Sequence, residues 1–438
     1  MMWRAACHQR GISLIELLVA MMLGLLVSAA VIGVFLGMST HSRIQRQLAR
    51  LQEEGRFAVG VITQDLAAAN GQYCNNTGGI AKRQANGIYL DRLRAPLVYA
   101  VDFGHARHWA DLTTPMGNAP YPAAPDAPYA LPSFLSMRGY DCDKQGCRPM
   151  DPNTAGATAI PPAGTAPGNR VKGTDVLTLR YVDSQRGWVI GNHTQIQVDR
   201  AFPNQIQRIL LAPGPGEPPA SDFGTGHLAL LADCSGGQIF AVDRHGNALL
   251  PNGDNARPPS AESTFAAAKL FDFDRDYVTV TYYLKMVDDG LGGRTGALIR
   301  QVNGEPHELI HGIERLDFRY GVETAQGKAS YLTAAEVDAG TQCPPGPARR
   351  PLNAAGEDVG CLWRAVKSIQ LSMLLSGHTP LPTLRNDELA YAYEPDGLPD
   401  PASRPPDAHP IKPSDQGFPA PLLRREFNVV TSVRNFNP

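Results

Sequence analysis

Read for its apolar and polar positions, the chain opens with a run unlike anything that follows. Residues 12–38 are 27 consecutive positions with a single charge, Glu16. As a helix rising ~1.5 Å per residue, this run would be ~40 Å long, more than the ~30 Å of a membrane's hydrocarbon core. From Ser39 the pattern turns amphipathic. Ile44, Leu48, Leu51, Ala58, Ile62, Leu66 and Ala69 recur near every 3.6 residues, while Arg43, Arg46, Arg50, Glu53, Glu54 and Asp65 fall on the other faces. The spacing predicts one helix that is first apolar all round and then amphipathic, with a stop at Asn70-Gly71. Gly55 within it costs about 1 kcal/mol relative to alanine.

Beyond Tyr73 the signal is a series of short β-branched and apolar runs bounded by turn residues. They fall at 87–89, 175–181, 188–190, 206–211, 227–232, 239–242, 277–284, 297–302, 316–320, 365–375 and 427–433. Strands that alternate with turns, with no helices between them, argue for antiparallel sheet. The fold class is therefore α+β, a long N-terminal helix followed by an elaborated β-rich head. Glycine (43) and proline (37) concentrate at 115–170, 212–225, 251–260, 343–357 and 379–421, which read as loops or insertions. No fixed period links them, which argues against a solenoid.

Charge and cysteines add orientation. Arg4 and Arg10 precede the apolar run, so the leader stays cytoplasmic and the rest lies outside. A net charge of -2 provides no footprint for nucleic acid. A cleavable secretory signal has an apolar core of about 7–15 residues, yet here the run continues past Ser28-Ala29-Ala30. A plain anchor gives no reason for Glu16, because a carboxylate in an apolar helix is unfavourable unless paired. A cut between Gly11 and Ile12 would create an α-amino group four residues before Glu16, a suitable cation in the same chain or on a neighbouring helix. That cut removes Cys7 and leaves six cysteines, an even set suited to an oxidising compartment. Six cysteines permit 15 connectivities. Cys142–Cys147 is the easiest local closure, and Cys343–Cys361 would staple a proline-rich loop. Cys74–Cys234 remains, tying the end of the first helix to the sheet.

Gly11-Ile12-Ser13-Leu14-Ile15-Glu16 before a long apolar run resembles the class III leader of type IV prepilins and pseudopilins. The resemblance implies cleavage after Gly11 and N-methylation of Ile12 by a prepilin peptidase, with Glu16 as the assembly salt-bridge residue. The usual first residue of the mature chain is Phe; Ile12 departs from this but stays apolar. Downstream, EEGRFAVGVITQDLAAANGQYC (53–74), GTDVLTLRYVD (173–183), LALLADCSGGQIFAV (228–242) and VTVTYYL (278–284) resemble successive blocks of the PilW family. So do LIHGIERLDFRYGV (309–322), AVKSIQLSMLL (365–375) and REFNVVTSVRN (425–435).

This resemblance implies a minor pilin of the type IV pilus that primes assembly and sits at or near the tip, supporting twitching or adhesion. It also implies partners: the major pilin, minor pilins of the PilV, PilX, FimU and PilE types, and a PilY-type adhesin. The implied location is the inner membrane of a Gram-negative bacterium with the head in the periplasm, then the extracellular pilus. The chain divides into a cleaved leader (1–11), a membrane and filament-core helix (12–38), an amphipathic helix (39–73) and the head (74–438). A type II secretion pseudopilin of the J type shares leader and fold and stays open as an alternative.

Two motifs suggest metal chemistry. His307-Glu308-Leu309-Ile310-His311 matches H-E-x-x-H, in which a helix turns two histidines to one zinc ion. The metzincin extension needs Gly at 314 and His at 317, but the sequence has Glu314 and Asp317. A membrane-anchored zinc hydrolase built on His307 and His311 thus lacks a third ligand. A loop or helical turn entering a strand is the favoured reading. Asp272-Phe273-Asp274-Arg275-Asp276 suggests a calcium loop, yet an EF-hand needs Gly at its sixth position and Glu at its twelfth, where Tyr277 and Tyr283 stand. No metal, cofactor or enzymatic activity is expected. The cysteine reading is tested by peptide mapping without reductant: the pairs Cys142–Cys147, Cys343–Cys361 and Cys74–Cys234 are expected, and other pairs would overturn it.

Overall fold

A computed structural model of the chain describes residues 13–73, 81–84, 87–90, 96–101 and 126–435, apart from 153, 155–158, 192, 234–235, 262–267, 291, 324–328, 341–342, 344–348, 382–383, 398–402, 420 and 434. The chain falls into two compact units, residues 1–53 and 54–438. Helix α1 (Leu14–Ala68) begins in the first and ends in the second. In the first unit its side chains from Leu14 to Leu36 are all exposed, and by length and composition it could cross a membrane.

The second unit shows how α1 stops. Asn70 takes φ 62°, in the left-handed region that asparagine tolerates better than most residues, and Gly71 N–H donates back to the Ala68 carbonyl. The last carbonyls of a helix have no partners within it. Here the Asn435 amide donates to three of them, on Ala67, Ala68 and Ala69, at 3.2, 3.0 and 3.0 Å.

The head is almost wholly antiparallel. Its eight-stranded sheet runs Glu305–His311, Arg294–Val302, Tyr277–Asp288, Val176–Val182, Met137–Cys142 and Cys147–Arg148 in spatial order, with two short strands beside it. Val176–Val182 lies at the centre and reads as a nearly continuous apolar run because it is buried on both faces. A nine-stranded sheet packs Trp188, Ile209, Phe223, Leu231, Phe240, Leu249 and Leu270 into a separate core. The third sheet has four strands in the order Ala329–Leu332, Ile313–Glu323, Val366–Ser376, Arg424–Ser432. A hairpin of Ala81–Gln84 with Gly87–Leu90 completes the described strands.

Two stretches expected as loops are more ordered than their composition suggests. Within 115–170, Met137–Cys142 is an integral strand. Its pattern was illegible because the strand buries a charge. Arg138 is fully buried and forms two bonds to Asp338, at 3.1 and 3.0 Å. Asp338 also accepts from the Trp363 indole at 2.9 Å. It lies on the short helix Ala334–Ala339, which starts with a reciprocal Thr333–Glu336 capping box.

The 379–421 stretch has little regular structure, but polar contacts fasten it to the four-stranded sheet. Arg315 bonds Asp396 at 3.1 Å, and Asp396 meets His409 at 2.5 Å. The His409 ring stacks on Tyr391, while the Tyr393 hydroxyl donates to Asp317. Arg424 and Glu314 form a fully buried pair beneath it.

Gly55 has a reason that helix propensity does not show. The Phe427 ring, from the last strand of the four-stranded sheet, lies only 2.4–2.7 Å from where a Cβ on Gly55 would sit. Although alanine is the better helix former, Gly55→Ala is expected to destabilise the full chain by about 1–3 kcal/mol through overpacking. Thermal unfolding in detergent checks this. An unchanged or raised melting temperature would show that the ring moves aside freely.

Candidate assembly site

The residues that could build an assembly surface lie along α1 and where it meets the head. Glu16 stands in the first turn of the helix. Its Oε2 accepts the Ser13 amide at 3.0 Å, and Ser13 Oγ accepts the Ile15 amide at 3.2 Å. These contacts satisfy amides that a helix start leaves open, and a negative charge there suits the helix dipole. Leu14, Ile15, Leu17, Leu18 and Val19 surround it, all exposed. The arrangement is a carboxylate set in an apolar surface, able to receive a cation brought by a neighbouring apolar helix. Gly11 and Ile12 lie outside the described residues.

The head end of the helix carries a second carboxylate, Asp65, with only 5% of its surface exposed. Three neighbouring strands of the eight-stranded sheet each supply one donor residue to it. Tyr181 donates at 3.2 Å and Tyr282 at 2.5 Å, while Arg300 donates through Nε at 2.6 Å and Nη2 at 2.9 Å. Tyr282 and Arg300 are directly opposed across their two strands. The hydrogen bonds and charge of Asp65 hold Arg300 firmly protonated, above its ordinary range. Burial pushes the Tyr181 hydroxyl up to about 12, and the Asp65 charge adds to this. Tyr282 is raised for the same two reasons.

By its charge, Asp65 is expected among the outward-facing residues of the helix. Yet it lies three residues after Ile62 and four before Ala69, both on the buried stripe. That coincidence was the available signal.

The H-E-x-x-H residues are not on a helix. They occupy the strand Glu305–His311, paired with Arg294–Val302 through a register shift between Leu298 and Ile299. Four residues along a strand separate His307 from His311 by about 13 Å, too far to share an ion. Glu308 instead pairs with Lys285 at 2.5 Å and lies 3.4 Å from His311. The Lys285 bond is the main reason its carboxyl falls below the usual range.

The acidic run at 272–276 caps the short helix Phe273–Asp276. Asp272 accepts the Gly224 amide at 2.9 Å and the Arg275 amide at 3.3 Å, and its oxygens lie 2.8 Å from His227 Nδ1. Asp274 accepts the Leu228 amide at 2.7 Å. Although His227, Asp272 and Asp274 lie together, their carboxylates already serve as acceptors for backbone amides.

Disulfides join Cys142 to Cys147 and Cys343 to Cys361. The first closes the hairpin at the edge of the eight-stranded sheet, where Arg170 donates to both sulfurs. The second ties the chain just after Ala334–Ala339 to the short helix Cys361–Ala365, which contains Trp363. Cys74 and Cys234 both lie outside the described residues.

An apolar helix with an acidic first turn, leading into a β-rich head, defines a prepilin-like protein. Residues 7–39 match the family model described as the prokaryotic N-terminal methylation motif. Residues 281–435 match that of Type IV Pilus-assembly protein W, so the resemblance to the PilW family holds across the strands that build the four-stranded sheet and its neighbours. No curated protein and no solved structure matches the chain. The two family matches point to a structural component of a type IV pilus.

The Asp65 cluster can be tested by itself. Asp65→Ala leaves a half-buried guanidinium and the part-buried Tyr181 hydroxyl without this acceptor, and leaves the Tyr282 hydroxyl only the Val61 carbonyl at 3.5 Å. The expected loss is about 3 kcal/mol, the lower end for breaking a buried pair because Arg300 keeps some contact with water. Denaturant unfolding of the full chain checks it, and a change under 1 kcal/mol would show that water replaces the carboxylate.

Proposed function

We propose that this chain is a minor pilin that primes assembly of a type IV pilus and resides at or near the pilus tip. The observation that carries the reading is Glu16, a carboxylate within an exposed apolar helix and inside a matched methylation motif. In this reading a prepilin peptidase cuts after Gly11 and methylates Ile12. Residues 12–38 hold the chain in the inner membrane until it joins the filament. Glu16 then pairs with an N-terminal amine, which removes an otherwise unfavourable charge from an apolar setting. The gain is greatest where helices pack closely and water is excluded.

The head brings two further elements consistent with this role. The Asp65 cluster transmits force from the helix into three strands at once, as a subunit under filament tension requires. Tyr393 and Asp396 hold their part of the 379–421 stretch against the four-stranded sheet, so that part travels with the head. Partners in this reading are the major pilin, minor pilins of the PilV, PilX, FimU and PilE types, and a PilY-type adhesin. The head would lie in the periplasm before assembly and outside the cell after it.

Glu16→Ala provides the test. The variant is expected to be cleaved and to stay in the membrane fraction, but to be lost from sheared pili by at least tenfold. Surface pili and twitching should fall with it. Normal recovery of the variant in pili would overturn the proposed role of Glu16.

A further inference from the structure

Sheet edges expose unpaired backbone groups, and natural proteins blunt them with short strands, bulges, proline or charge. Nearly every edge strand among the described residues follows this rule. Trp188–Val189 and Cys147–Arg148 have two residues each, and Gln195–Val198 and Ala329–Leu332 have four. The longer Glu305–His311 contains Pro306 and two glutamates and is interrupted by a register shift. Arg424–Ser432 is different. Its charges, Arg424, Arg425 and Glu426, are confined to its first three residues; six uncharged residues without proline follow, in unbroken register with Val366–Ser376.

The register shows which groups are open. Val433 N–H donates to the Lys367 carbonyl at 2.9 Å, and Gly377 N–H donates to the Leu423 carbonyl at 2.8 Å. Odd-numbered residues of this strand therefore face its neighbour. With alternation, the amides of Glu426, Asn428, Val430 and Ser432 point outward, and none meets an acceptor among the described residues. At one end, Arg425 Nη1 donates to the outward carbonyl of Arg424, so the open stretch starts at Glu426.

The side chains beside this edge specify a partner. Val430 is 55% exposed on the same face as Glu426 and Asn428. Glu426 accepts the Glu394 amide at 2.8 Å, and the Glu394 carboxylate bonds Asn428. Burial raises the Glu426 carboxyl above its usual range, and the charges of Glu394, Asp396 and Asp317 raise it further. Asp396 and Asp317 are themselves paired with Arg315, which leaves the Glu426 and Glu394 carboxylates beside one end of the edge to meet an arriving cation.

We propose that the Glu426–Ser432 edge receives an extended segment of a second, different protein as an added strand, with a basic residue beside Glu426 and an apolar residue beside Val430. Main-chain bonds would supply affinity and the alternating side chains specificity. A second copy of this chain fits less well. Antiparallel self-pairing centred on Asn428 sets Glu426 against Val430, and parallel pairing sets Glu426 against itself. That the donor is another pilus component rests on the function proposed above; the docking edge itself does not.

The test uses the full chain, leader removed, in detergent. The probe is a seven-residue peptide of alternating valine and threonine with one lysine placed to face Glu426. Residue-resolved hydrogen exchange should slow at least tenfold at Glu426, Asn428, Val430 and Ser432 when the peptide binds. A peptide with glutamate in place of lysine should bind at least tenfold more weakly. Val430→Pro removes an outward amide without touching the bonds to Val366–Ser376, so it should keep the fold yet lose the protection. Should that variant not fold, Glu426→Gln, which keeps the acceptor for Glu394, should erase the preference for lysine over glutamate.

Amides already slow in the free chain would overturn the proposal, since the protein would then cover its own edge. So would equal protection in Val430→Pro, or no lysine preference in the unaltered chain. Concentration-dependent dimers protecting the same amides would assign the edge to a second copy instead. If the edge fails while Glu16→Ala still blocks incorporation into pili, the pilin reading stands alone.

Discussion

Burying the Asp65 carboxylate is tolerable only because donors converge on it from three neighbouring strands. An isolated ionised carboxylate taken out of water is strongly unfavourable, whereas one held by a guanidinium and two hydroxyls is not. The same contacts set the order of the surrounding parts. The helix face carrying Ile62 and Leu66 can bury its apolar side chains only in the rotation that turns Asp65 toward Arg300. A rotation that carried Asp65 away from Tyr181, Tyr282 and Arg300 would bury its charge without these donors, so the cluster penalises other settings of the helix.

Charge buried for placement recurs through the head. Arg138 with Asp338, Arg424 with Glu314, and Arg315 with Asp396 each join segments far apart in sequence. Such pairs contribute less net stability than their geometry suggests, because desolvation offsets attraction. What they add is selectivity. A misplaced strand would leave a guanidinium or carboxylate buried alone, which is far worse than a misplaced leucine. A head with several irregular connections gains from such penalties against wrong pairings.

This explains which parts of the structure were legible from residues alone. The helix was legible because its period is long and its apolar stretch uninterrupted. Most strands were found because Val, Ile, Leu and Tyr alternate or cluster in them, although their ends ran on. The strand expected over 277–284 continues to Asp288, and that over 239–242 extends from Gly237 to His245. The failures share a cause. Met137–Cys142 contains an arginine that looks solvent-facing until Asp338 is known to meet it, and Asp65 misled in the same way. The anchoring of 379–421 through Tyr393, Asp396 and His409 depends on partners some 80 positions distant, at Arg315 and Asp317. No local pattern could announce it. Of the candidate site, the place of Glu16 in the first helical turn was legible because the run around it is otherwise uncharged.

The position of the Arg424–Ser432 strand in the chain has a consequence for synthesis. It is made after every other described strand, yet it pairs along its full length with Val366–Ser376 and sets Phe427 against Gly55 in the first helix. Asn435, just beyond, binds the carbonyls that end that helix. The earliest and latest segments of the head therefore complete one another, while both described disulfides close loops between cysteines only 5 and 18 positions apart. Each crosslink needs only nearby chain, but closure of the four-stranded sheet waits for its last strand. A chain lacking Arg424–Ser432 would keep both crosslinks and the first helix, yet leave Val366–Ser376 without one of its two neighbours. The strand that finishes the four-stranded sheet is thus not secured by either crosslink.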